Sequence, residues 1–399
     1  MNSKNFVNFH VLISHSPSCL NRDDANMQKT AIFGGVTRVR ISSQSMKYWM
    51  RKSDYYNQRF SKSMRTRFLI DEAVNCLIRD NPESSEATEA SGLIIAALLE
   101  GKTKPEDIKK YKRNEKSGKI QHQVLPFSTS EIEGLNALIK EISSKPENQQ
   151  IDFAKSRFKE LEEKTKKFID IDVALSGRMA TSDLAYGTDG ALAVAHPITT
   201  HAVEPQDVDW FSAVDDLQDQ GSGHLDTQQF SAGVFYRYAS LNLKQLQVNL
   251  GLIENMKTAE TPESRSRALE IAKHLFHMLA TVVPSAMQGR HAAFNPADFA
   301  IVSFSDQPIS LANAFEAPIQ RGHNGGYLGR SMVELAEYWR RLNSAYGLNE
   351  SAAAFRFGIE PWQAETKKKW PDNLPAFEAL AELETWIAKD GTKTESGHA

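Results

Sequence analysis

Little in this chain marks it for several common classes of protein. Cys19 and Cys76 are the only cysteines among 399 residues and no CxxC pair occurs. That excludes a disulfide framework or a cysteine-rich zinc site and points to a reducing cytoplasm. The longest uninterrupted apolar run, residues 93–99, falls far short of the roughly 18 residues a membrane-spanning helix needs, so no membrane is expected among the partners. The early apolar stretch at 6–13 is interrupted by Asn8 and His10 and follows a single lysine, which reads as a strand of the fold and not as a signal peptide. GxxxxGK[ST], GxGxxG after a strand, GxSxG and HExxH are all missing. Nucleotide-dependent and common hydrolytic enzymes are therefore not expected, and no cofactor or metal is implied.

Cations are also missing from one part of the chain. Between residues 179 and 236 there is no lysine or arginine, against nine carboxylates, whereas residues 1–70 carry twelve basic side chains against three aspartates. The net charge of −3 hides this segregation. A basic block of this size suits a nucleic-acid surface, and an acidic block suits a different partner or a second copy. If the two lie on opposite sides, copies stack head to tail into a ring or a helical filament. If they face each other within one fold, they neutralise.

Hydrophobic periodicity gives an α+β reading. Val7, Phe9, Val11 and Ile13 alternate as on a buried strand. After the Gly34-Gly35 turn, Thr37, Val39 and Ile41 alternate with Arg38, Arg40 and Ser42, which puts two arginines and a serine on one strand face. Ser43 is placed to cap a helix with Met46, Trp49 and Met50 as its apolar stripe, while Gln44, Lys47 and Arg51 fall at i, i+3 and i+7 on the other side. Helices are expected at 91–99, 132–142, 262–282, 333–345 and 376–388, strands at 171–175, 191–194, 230–238 and 299–304, and a structureless loop at 201–229.

Candidate catalytic groups are weak. His10 and His15 form a possible acid/base pair, but their place on one strand limits convergence. His274-x-x-His277 lies on a helix with no carboxylate at ligand spacing. Asp23-Asp24 beside Arg22 can hold a divalent metal near a phosphate, or can simply make a turn. Met179, after Ser176-Gly177-Arg178, is read as displayed at a strand end, where a methionine wedges between bases or else fills core. For Trp210-Phe211 the alternatives are stacking on RNA bases and anchoring the loop.

Taken together, the strings NFHVLISHSPSCLNRDD, AIFGG, VRISSQSMK, DVALSGRMAT, AVAHPITTH, DWFSAVDDLQ, FSAGVFYRYA and AAFNPAD closely resemble the CasC family, the backbone subunit of the type I-E CRISPR Cascade surveillance complex. The match runs from about residue 5 to about residue 317 and is weakest across 56–165 and the C-terminal region. The resemblance implies an RRM-like (ferredoxin-like) palm in three pieces (1–55, 181–203 and 235–317), a helical fingers insertion at 56–180, a thumb loop at 204–234 and a C-terminal helical region with a polar tail at 318–399. The whole would have the shape of a right hand.

By the same resemblance, the chain is a non-catalytic scaffold that polymerises along CRISPR guide RNA, kinks it at regular intervals and presents it to target DNA in antiviral defence. Its partners are then guide RNA, target DNA, further copies of itself and the other Cascade subunits. Arg22, Lys29, Ser42, Gln44, Lys47 and Arg51 match the family's guide-gripping positions, and Met179, Trp210 and Phe211 match its wedge around the kinked nucleotide. Val36 departs from the pattern, since a relative is basic there. Lys155, Arg157 and Lys159 fall where the family presents lysines to target DNA, and Lys109, Lys110, Lys112 and Arg113 form a second such patch. The alternative is a metal-dependent endoribonuclease using Asp23 and Asp24, by analogy with the backbone subunits of type III complexes.

Overall fold

The computed structural model describes residues 4–165, 170–178, 187–213, 222–366 and 370–392. The chain divides into two compact units. One comprises Met1–Gln58, Leu192–Leu243 and Thr261–Ala399, and the other Arg59–Ala191 with Lys244–Glu260.

The first unit is built on the strand Phe6–Ser18, which pairs antiparallel on one side with Phe299–Ser305 and on the other with the 21-residue strand Ser222–Asn242. Leu192–Val194 and Ile198–Thr199 add to the far side of the long strand. Ser351–Arg356 and then Ala376–Phe377 extend the sheet beyond Phe299–Ser305, the last pairing being parallel. The alternation at 7–13 marks a strand correctly but understates its burial, because both faces are covered. On one face Phe9 stacks on Phe276 of the helix Pro262–Thr281, with ring centroids 6.3 Å apart. On the other, Leu12, Tyr236, Phe299 and Ile301 pack with Met332, Leu335 and Trp339 of the helix Leu328–Tyr346.

Several polar side chains inside this core find partners. The ring Nδ1 of His10 lies 2.9 Å from the Tyr236 hydroxyl, and Tyr238 donates to Asn8 at 3.2 Å. Arg237, fully buried, donates to the carbonyl oxygens of Leu279 and Val282 at 3.0 and 2.8 Å, satisfying the end of the helix Pro262–Thr281 where acceptors lack partners. The start of that helix is closed by Thr261, whose hydroxyl accepts the Ser264 amide.

In the second unit, the helices Leu69–Asp80, Ser85–Leu99, Thr129–Ser143 and Glu147–Thr165 enclose a core of Val74, Ile95, Leu98, Leu135 and Ile139. The lysine-rich connection at 102–119 is pinned to it by Arg113, which pairs with Asp71 at 2.8 Å and Glu89 at 2.7 Å. Arg113 thus acts as an anchor of this unit, a role the sequence reading did not give it.

Three local readings are corrected, one with a consequence for Met179, and one strand lay outside every reading. Residues 171–175 form the helix Ile171–Ser176 with all five buried, a short apolar run whose period cannot separate helix from strand. Met179 therefore follows a helix end rather than a strand end, and it lies outside the described residues. The expected loop at 201–229 instead carries the strand Gln206–Ala213, paired antiparallel with Ser222–Asn242. Its Asp, Gln and Gly content hides a two-stranded ribbon from a hydrophobicity pattern. Ser351–Arg356 is a sheet strand despite three alanines, because burial against the sheet outweighs helix propensity, and the helix expected at 376–388 begins only at Leu380. Among the described residues no helix is long and apolar enough to cross a membrane.

A candidate nucleic-acid interface

All the candidate cations of residues 1–58 belong to the first unit, and three local structures carry them. The helix Ser43–Lys52 buries Met46 and Met50, Met46 packing with Leu20, Val39, Ile41 and Phe235. Its opposite face presents Gln44, exposed, and Lys47 and Arg51, half-buried. Lys47 Nζ reaches the carbonyl oxygen of Leu192 at 3.3 Å. The cap is Ser42, not Ser43: its Oγ accepts the Ser45 amide at 3.2 Å and its backbone is extended, as a cap requires. Ser42 is itself buried and held by Asn21, whose side-chain oxygen accepts its amide at 2.9 Å. Asn21 is a residue the sequence reading passed over.

Asn21 also begins the second structure, a tight loop. Its carbonyl oxygen accepts the Lys29 amide at 3.0 Å, and Arg22 pairs as an isolated bridge with Gln28. Asp23 Oδ1 accepts the amides of Ala25 and Met27, both at 2.9 Å, so this carboxylate builds the turn. Arg22 and Asp24 are exposed, and Arg22 donates to Asn26 at 3.1 Å. No group of three His, Cys, Asp or Glu side chains suited to a metal is found among the described residues.

The third structure is the hairpin Thr30–Phe33 and Val36–Val39, turned by Gly34 and Gly35, both with φ in the left-handed region. A Cβ on Gly34 would sit 1.6 Å from the carbonyl oxygen of Glu316, so only glycine passes there. The arginines of this segment separate. Arg38 is fully buried, donating to the carbonyl oxygens of Phe33, Thr199 and Phe315 at 3.2, 3.0 and 2.8 Å. It therefore does not share an open strand face with Arg40 and Ser42, because its donors are taken up by main chain. Arg40 stays near the surface, with Nε donating to Thr30 O at 2.9 Å and Nη1 lying 3.1 Å from His196 Nδ1. Its amide bonds to Lys29 O at 2.9 Å, joining hairpin to loop.

The remaining candidates lie elsewhere. The backbones of Trp210 and Phe211 stand opposite Asp226 and Leu225 in the ribbon. Lys155, Arg157 and Lys159 are on the helix Glu147–Thr165 of the second unit, where Arg157 pairs with Glu160 at 2.6 Å and Glu141 at 3.3 Å. His10 and His15 are both interior, and burial pushes each imidazole down to about 3. They cannot meet a substrate as an acid/base pair. His274 and His277 instead contact Tyr55, through a 2.7 Å hydrogen bond and a 4.0 Å ring stack respectively, each with a carboxylate neighbour, Glu270 and Glu384; Glu270, one helical turn before His274, corrects the reading that no carboxylate stands at such a spacing.

The model of the CT1975-like protein family matches residues 7–384. The chain belongs to the CT1975-like family. A chain of a CRISPR RNA-guided surveillance complex in a pre-nicking state is 26% identical, with a TM-score of 0.76 over 97% of this chain and 100% of the other. A chain from another CRISPR RNA-guided surveillance complex, 23% identical with a TM-score of 0.66 over 96% and 99%, shares the fold. No curated protein matches the chain. For this CT1975-like protein the likeness extends through the C-terminal region beyond residue 317, further than its motifs alone reach.

Proposed function

We propose that this CT1975-like protein is a guide-RNA-binding backbone subunit of a CRISPR surveillance complex of type I-E. It is a non-catalytic scaffold that polymerises head to tail along the guide and presents it to target DNA. The observation that carries the reading is the likeness, over nearly the whole chain, to a subunit of an RNA-guided surveillance complex. The basic loop, hairpin and helix supply the chemistry such a subunit needs, since phosphate contacts made by lysine, arginine and neutral donors bind RNA without regard to sequence. Specificity then rests on base pairing by the guide.

Strand order supports an RRM-like palm. Along the chain run Phe6–Ser18, the helix Ser43–Lys52, Leu192–Val194, Ser222–Asn242, the helix Pro262–Thr281 and Phe299–Ser305, and in the sheet these four strands lie in the order fourth, first, third, second. A ferredoxin-like βαββαβ arrangement with a helical insertion after its first helix would give this order. In this reading Arg22, Lys29, Ser42, Gln44, Lys47 and Arg51 grip the guide, Met179, Trp210 and Phe211 kink it, the ribbon at 204–234 is the thumb, and Lys155, Arg157 and Lys159 meet target DNA. An endoribonuclease using Asp23 and Asp24 has less support, because Asp23 already closes its own turn.

Nuclease footprinting of RNA that co-purifies with this chain, its neighbouring subunits and a CRISPR array tests the proposal. Regularly spaced reactive nucleotides along one guide are expected. RNA of random sequence without periodic protection, or a magnesium-dependent cut abolished by Asp23→Ala, would overturn it.

A further inference from the structure

Beside the matched guide-gripping residues lies a second set of donors that no motif assigned. The loop, the hairpin and the segment before Ile198–Thr199 are stitched together at one point. Arg40 N bonds to Lys29 O at 2.9 Å, Ile41 N to Pro197 O at 2.9 Å, and Arg40 pairs as an isolated bridge with Ile198. This brings Lys29, Arg40 and His196 side by side. Because a guanidinium can only donate, the 3.1 Å contact makes His196 Nδ1 the acceptor. The ring is therefore neutral, with its proton on Nε2, and His196 is exposed. Burial of the ring, then Arg40, then Lys29 all hold its pKa below the usual histidine range. Arg40 uses Nε and Nη1 to fix its plane, which leaves the Nη2 edge to donate.

We propose that Arg40 and His196, with Lys29, form a built phosphodiester site for single-stranded RNA. Arg40 supplies charge from Nη2, and His196 supplies a neutral N–H from Nε2. The proposal rests on the guide-binding reading and adds two residues to it. Arg40 positions the imidazole while contacting the phosphate, a division of labour the strand pattern of Arg38 and Arg40 did not suggest.

The two side chains have different signatures. A charged contact releases a counterion, so its loss lowers the salt slope of binding to single strands by about 0.7, whereas a neutral donor weakens binding without changing the slope. Binding of a labelled single-stranded RNA of mixed sequence is measured by anisotropy at several salt concentrations for the full chain, Arg40→Gln, His196→Ala and the double variant Lys47→Ala/Arg51→Ala. Arg40→Gln is expected to weaken binding roughly tenfold with a flatter slope, and His196→Ala several-fold with the wild-type slope. If Arg40→Gln misfolds by circular dichroism, His196→Ala alone decides. Wild-type affinity in His196→Ala, with Lys47→Ala/Arg51→Ala impaired, overturns this site and leaves the guide-binding reading standing. A flattened slope in His196→Ala overturns the neutral donor. Failure of the wild-type chain to bind RNA overturns the reading itself.

Discussion

Arg38 and Thr199 hold each other through both main chain and side chain. Arg38 Nη1 donates to the Thr199 carbonyl oxygen at 3.0 Å, and Thr199 Oγ1 accepts the amide of Val39, the next residue along from Arg38, at 3.2 Å. With Phe315 O also bound, this buried guanidinium ties the hairpin to two distant segments of its unit. Removing it leaves several carbonyl oxygens without donors in a dry environment. Arg38→Ala is expected to cost about 3 kcal/mol of stability, read by urea unfolding. It should leave the RNA affinity of the folded protein unchanged, so loss of affinity at full stability would return Arg38 to the interface.

Lys47 and Arg51 share one helix face and are expected to act on phosphates alone. Lys47→Ala with Arg51→Ala should weaken binding to every RNA sequence alike and lower the salt slope by about 1.4, two contacts' worth on single strands. A sequence-selective loss in a panel of RNAs would contradict this.

Met179 and Phe211 carry the kinking role in the proposed reading. Met179→Ala and Phe211→Ala should keep most of the guide affinity but change the periodic pattern of base reactivity in chemical probing. An unchanged pattern would assign both side chains to packing.

Glu131 and Arg178 form a paired contact within the second unit, both Nη atoms lying 2.7 Å from the carboxylate oxygens, with each side chain only about a tenth exposed. Glu131 also accepts the Ser128 amide as part of a capping box. Glu131→Ala loses the cap and strands the guanidinium, with an expected cost of about 3–5 kcal/mol. Arg178→Met with Glu131→Leu should recover part of it in thermal melts, while equal losses in both would mean the cap dominates.

Acid should destabilise the first unit in part through His10 and His15. Both are lowered by burial from 6.5 to about 3 in the folded state. Between those values the unfolded chain binds the protons and the folded chain does not. Stability is therefore complete above pH 6.5 and falls as the pH drops towards 3, by about 1.4 kcal/mol per histidine per pH unit in the middle of the window. His10→Gln should lower the slope of urea stability between pH 6 and pH 5, and an unaltered slope would mean that the His10 ring is not held neutral.

Much of the site was legible because its residues are close in sequence. The i, i+3, i+7 spacing of Gln44, Lys47 and Arg51 alone fixes a polar helix face, and Gly34-Gly35 fixes a turn. Ser42 rather than Ser43 as the cap was a matter of one residue, settled by which backbone is extended. The strand Gln206–Ala213 was illegible, since its Asp- and Gln-rich sequence carries no hydrophobic alternation. Ser351–Arg356 was illegible because its alanines favour a helix until a sheet edge covers them.

By itself the sequence determined the class of protein: an α+β chain, its charge segregated, with motifs that resemble one family. Arg38 and Arg40 look alike in that sequence, two positions apart on one strand face. Only the tertiary structure decided that the first is consumed by carbonyl oxygens from residues 199 and 315 while the second keeps a donor edge beside His196. The physical reason is that a buried charge must find its partners wherever the chain brings them, and partners more than a hundred residues away leave no trace in local spacing.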